Sequence, residues 1–160
     1  MGQVYGRIGG RLGGYSLECT MDNTRISGRL GGAVAGDDLR LELSPEGNRL
    51  RGRVGGDTIG KDLDITLEND QAFGRLGGKN VGDDISLQGT EKITGRVGGA
   101  TIGFNCNVAV TPDKSKLTGR LGGTFVGADV NLDLEDFSPM IASILAATVY
   151  KIYLEKSRQK

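Results

Sequence analysis

Six arginines recur in one context along the chain. Arg7, Arg29, Arg53, Arg75, Arg96 and Arg120 each stand second in a Gly-Arg-(Leu/Ile/Val)-Gly-Gly motif. A guanidinium is a planar, bidentate donor to carboxylate or phosphate oxygens, so a ladder of them can do one of two things. It can pair across strands with outward carboxylates, here Asp38, Glu42, Asp62, Asp64, Asp84 or Asp133. Alternatively it can hold an anion such as phosphate or a lipid headgroup. Tyr5 and Phe73 stand two residues before Arg7 and Arg75; the strand period turns them outward beside those arginines, and they extend the candidate contact surface.

Other chemistry is thinly provided for. The 160 residues include no histidine, which removes Ser-His-Asp and Cys-His nucleophile sets and the commonest metal ligand. Cys19 and Cys106 are too few for a disulfide framework or a zinc cluster. Both fall where other repeats carry leucine, as small core residues would. The aspartates Asp37, Asp38, Asp83 and Asp84 recur with the repeat, which assigns them to turn and register duty and not to a calcium-binding roll. No phosphate-binding loop is present. The expectation is a non-enzyme with no catalytic residue, metal or cofactor. Twenty basic residues balance twenty acidic ones, so no global field gathers nucleic acid.

A tandem repeat positions the arginines. The motif begins at Gly6, Gly28, Gly52, Gly74, Gly95 and Gly119, with offsets of 22, 24, 22, 21 and 24 residues. Self-similarity at this period signals a repeat architecture. A shift of 67 or 68 residues lays the first three copies on the last three, "LELSPEGNRLRGRVGG" on "VAVTPDKSKLTGRLGG", with Pro45 on Pro112. Within each copy apolar and polar residues alternate with the strand period of two. Leu39, Leu41 and Leu43 share one face, and Asp38, Arg40 and Glu42 share the other. Turn formers such as "SPEGN", "END" and "TPDKS" separate the runs. Two strands per copy predict about twelve antiparallel strands from six hairpins. The motif glycines Gly28 and Gly32, Gly52 and Gly56, Gly95 and Gly99, and Gly119 and Gly123 fall on the apolar side.

An apolar face that wide must be covered or closed on itself. The segment "DFSPMIASILAATVYKIYLEK" supplies the cover: Ser138 and Pro139 are an N-cap and first helical residue, and residues 137 to 150 carry no charge. Fourteen residues are short of the roughly 20 needed to span a bilayer, and a helix apolar all round belongs in an interior. The sequence therefore predicts one mainly β domain over 1–160, with a six-repeat β region at 1–135, a core helix at 136–156 and a basic tail at 157–160. The expected form is a closed barrel around the central helix; an open meander or a solenoid are the other arrangements such repeats allow.

Twelve strands around a hydrophobic C-terminal helix resemble the tubby-like superfamily, and "DFSPMIASILAATVYKIYLEK" resembles the closing helix of its LURP-one-related group, with the phospholipid scramblases as further relatives. That resemblance implies a barrel from about Val4 to Glu155 and makes phosphoinositide or phosphate recognition by the arginine ladder an expectation. The N-terminus lacks a basic stretch followed by an apolar core, as in a signal peptide. The overall expectation is a cytoplasmic, membrane-peripheral binding or scaffold module that engages an anionic lipid or a protein partner, with no transmembrane segment. A purely structural or self-assembling β-repeat protein is the alternative.

Overall fold

The structure is a computed structural model that describes residues 2–9, 14–31, 36–55, 60–77, 82–98, 103–122 and 127–158. Twelve strands follow in chain order: β1 (Gly2–Gly9), β2 (Gly14–Asp22), β3 (Arg25–Gly31), β4 (Gly36–Leu43), β5 (Arg49–Gly55), β6 (Gly60–Glu68), β7 (Gln71–Gly77), β8 (Gly82–Gln88), β9 (Lys92–Gly98), β10 (Gly103–Val110), β11 (Lys116–Gly122) and β12 (Gly127–Glu135). Each pairs antiparallel with the next, and β1 closes on β12, with Val4 opposite Leu134 and Ile8 opposite Val130. The predicted closed barrel of six hairpins is thus the observed fold. Closure leaves no free sheet edge.

The turns that join even strands to the following odd ones form one rim, and their residues explain their geometry. Between β6 and β7 only Asn69 and Asp70 intervene, both at positive φ (52° and 60°), as a two-residue hairpin of matching twist requires. The β4–β5 and β10–β11 turns are built alike. Ser44 accepts the amide hydrogens of Asn48 and Arg49 on its hydroxyl, at 3.1 and 3.0 Å. Thr111 and Ser115 donate their hydroxyls to Asp113. These two turns carry Pro45 and Pro112, so the internal duplication persists in three dimensions.

The helix α1 (Pro139–Arg158) enters from this turn rim. Ser138 caps it, its hydroxyl accepting from the amide of Ile141 at 3.2 Å. The helix starts at Pro139, where the Ser138 cap and Pro139 placed it; of the segment 136–156 assigned to it, residues 136 to 138 serve as the link, with Asp136 at a positive φ of 52°. It also runs on to Arg158, into the span assigned to a tail. Ten consecutive residues, Ile141 to Tyr150, are buried on every side, and α1 touches β1, β2, β3 and β8 to β12. Its buried residues Ser143 and Thr148 donate their hydroxyls back to the carbonyls of Pro139 and Ile144, each at 2.8 Å. Such back-bonding satisfies a hydroxyl inside its own turn.

The inward glycines allow close approach between neighbouring strands. A Cβ on Gly28 would run into the backbone of Glu18 and Cys19 on β2; the close neighbour is the adjacent strand. The outward glycines are equally constrained: Gly98 sits at φ 112°, where a side chain is strained. Gly32, Gly56, Gly99 and Gly123 lie outside the described residues.

Two outcomes follow. Ending the chain at Asp136 is expected to abolish cooperative thermal unfolding, because the bore would be left unfilled; a soluble truncated protein with a sharp melt would contradict this. Gly28→Val and Gly98→Val are each expected to cost about 1–3 kcal/mol, read as a fall of several degrees in the unfolding midpoint, with the outward replacement no better tolerated than the inward one.

Candidate functional site

Seen from outside, the barrel is a wall of ion pairs. Each motif arginine faces the residue nine positions later on the next strand, and four of the six find an aspartate there. Arg29 bonds Asp38 at 3.1 Å, Arg53 bonds Asp62 at 2.7 Å, Arg75 bonds Asp84 at 2.9 Å and Arg120 bonds Asp129 at 2.8 Å. Arg96 instead donates to Asn105 at 3.0 Å, and Arg7 faces Ser16. The cross-strand pairing expected for this ladder is present for most of its members. Of the other carboxylates considered, Glu42 lies 3.9 Å from Arg25, Asp64 bonds Arg49 at 2.8 Å, and Asp133 bonds Lys116 at 2.7 Å. Arg49 grips Asp64 through both oxygens, and this donation holds the Asp64 carboxyl below its usual range. Exposed pairs of this kind contribute little each, about 0–1 kcal/mol.

Among the described residues, Tyr5 and Phe73 are the large apolar side chains left exposed, at 40% and 42%. They lie on β1 and β7, which are six strands apart in either direction around the barrel. The structure therefore places them on opposite walls and does not bring them together.

The second rim holds a ring of residues whose role the sequence reading missed. The second residue of every even strand points inward at the C-terminal half of α1: Tyr15, Asp37, Lys61, Asp83, Phe104 and Ala128. Tyr15 packs edge-on to Tyr153 with ring centroids 5.3 Å apart, and Phe104 packs likewise on Tyr150 at 4.8 Å. Lys61 pairs with Glu155 at 2.8 Å and Asp83 with Lys151 at 3.1 Å. Asp83 is thus more than a turn residue, and Lys151 is no solvated helix end: its side chain is 13% exposed. The available signal was a charge at an inward position of a strand, which must find a partner.

The two thiols lie in the wall's inner face. Burial pushes Cys19 and Cys106 up to about 12 each, so neither is a nucleophile at neutral pH. Among the described residues, no three Cys, Asp or Glu side chains converge to hold a metal, and no helix is long and apolar enough to cross a membrane.

The class defined by these features is a helix-filled, closed, up-and-down β-barrel with an ionic outer wall. No protein-family model matches the chain, and neither a curated protein nor a solved structure matches it.

If the rim ring anchors the helix, Asp83→Ala should leave Lys151 without its counter-charge and destabilise by about 1–3 kcal/mol. The exchange Asp83→Lys with Lys151→Asp should recover part of the loss in denaturant unfolding, as a double-mutant cycle measures. Additive single-variant costs would show that this ion pair does not hold the helix.

Proposed function

We propose that the protein is a non-enzymatic binding or scaffold module of the cytoplasm that works at membrane surfaces through its outer wall, recognising anionic lipid headgroups or a protein partner. The observation that carries the reading is the occupied bore. Where other wide barrels hold a ligand, this one holds ten buried residues of its own helix, which leaves recognition to the exterior. The exterior is rich in guanidinium donors and presents two separated aromatics. The tubby-like resemblance of the closing helix supports the same reading, and kinship with that superfamily is part of the proposal.

Flotation with phosphatidylcholine vesicles, with and without phosphatidylserine, tests it. The protein should float only with the anionic vesicles and should be released as salt rises, since exposed charges are screened beyond roughly 10 Å at 0.1 M. Equal flotation with both vesicle types, or with neither, would sink the headgroup reading.

A second reading, self-assembly, is favoured by Tyr5 and Phe73. Exposed aromatics on opposite walls would let copies associate side to side. Concentration-dependent sedimentation that disappears in a Tyr5→Ser, Phe73→Ser double variant would establish it.

A further inference from the structure

The repeat supplies an internal comparison for every outward position, and two arginines stand out against it. Eleven residues after each motif arginine the six copies carry Glu18, Arg40, Asp64, Ser86, Asn107 and Asn131. Two residues before it they carry Tyr5, Ser27, Arg51, Phe73, Thr94 and Thr118. Arg40 and Arg51 are thus the basic residues at positions that are acidic or uncharged in every other copy. A feature shared by all copies belongs to the scaffold; these two belong to one place on the wall.

That place is the outer face of β4 to β7. Arg40 sits directly opposite Arg53, a like-charge pair that works against the sheet, and no carboxylate among the described residues pairs with Arg40. Arg51 reaches Asp64 only at 3.8 Å and shares it with Arg49, leaving the Arg51 side chain 65% exposed. Arg40, Arg51, Arg53 and Arg75 line one groove of about 730 Å³ with Asp62 and Asp64. Four guanidinium groups against two carboxylates leave an excess of two positive charges in a chain whose net charge is zero. Neighbouring strands lie about 4.8 Å apart, so Arg40 and Arg53 can grip one phosphate while Arg51 or Arg75 meets a second.

We infer that this groove is a binding site for a phosphate-bearing anion, with Arg40 and Arg51 as its specific donors. The inference rests on the outer-wall reading above and locates it. A guanidinium fork fits phosphate oxygens bidentately, and a bound anion would offset the repulsion between Arg40 and Arg53.

The test replaces each donor by a residue its own repeats carry. Arg40→Ser and Arg51→Thr together should fold as the parent does. The control, Lys92→Gln with Lys116→Gln, removes the same charge elsewhere, again using residues found at Gln3 and Gln71 in other copies. Inorganic pyrophosphate, followed by titration calorimetry, probes free phosphate; phosphatidylcholine vesicles containing a phosphoinositide probe a headgroup. The groove variant should weaken binding at least about tenfold, the loss expected from two charge-assisted contacts, while the control stays within about twofold of the parent. Binding of pyrophosphate alone assigns a soluble phosphate compound, and binding of vesicles as well assigns a lipid headgroup. Parent-like binding by the groove variant, or an equal loss in the control, overturns the site while leaving the outer-wall reading standing. No binding of either probe by the parent protein overturns the site and the headgroup reading together.

Discussion

A cylinder of twelve strands is too wide to fill with its own side chains. Eight strands enclose a bore that inward residues just close; twelve leave a channel that would stay hydrated unless something apolar occupies it. The helix α1 is that occupant, and the rest of the molecule is arranged around the requirement. Its sequence is apolar on all sides because it has neighbours on all sides. Its buried Ser143 and Thr148 hydroxyls bond to its own carbonyls, which satisfies them within their own turns. Small residues, Ala142, Ala146 and Ala147, are fully or almost fully buried, and they keep the helix slender enough to pass.

The same requirement explains why the repeat is interrupted where it is. A barrel made of two similar halves offers a helix two nearly equivalent rotational settings. The rim ring removes that ambiguity: Lys61 has Ala128 as its counterpart in the other half, and Asp83 has Tyr15. Glu155 and Lys151 find their ionic partners at Lys61 and Asp83 and would face alanine and tyrosine after half a turn. Specific polar contacts at the edge of an apolar core commonly fix register in this way, adding uniqueness more than stability.

Much of this was legible in the residues. Period-two alternation gave the inward set, such as Leu39, Leu41, Leu63 and Ile65, and the spacing of the glycine motifs gave the hairpin count. The uncharged span from Phe137 to Tyr150 marked the helix as interior. What could not be read was any property that depends on the neighbouring strand. The Gly28 contact with the Cys19 backbone follows from register and twist, which alternation does not encode. The partner of Asp83 lies 68 residues away on another element, so its acidity looked like turn chemistry. The arginine ladder was visible as a set, but the division of the outer arginines into those set against an aspartate, as Arg29 is against Asp38, and Arg40, which lies outside the ladder and against Arg53, needed the strand register to be seen.

Repetition is what makes that division informative. In a chain without internal copies, an exposed arginine carries no indication of its purpose, since surfaces tolerate most charges. Here each outward position has five counterparts under nearly the same backbone constraints. Arg29, Arg53, Arg75 and Arg120 repeat together with their aspartates, so the pair as a unit belongs to the barrel. Arg40 repeats nowhere and stands against another cation, and so it lowers, however slightly, the stability of the sheet that carries it. A residue that breaks the local pattern without a compensating contact points to something outside the fold. By that criterion the wall of this barrel is uniform scaffold over most of its circumference and specialised across β4 to β7, where Phe73 also lies, with Tyr5 as a separate departure on the wall opposite Phe73.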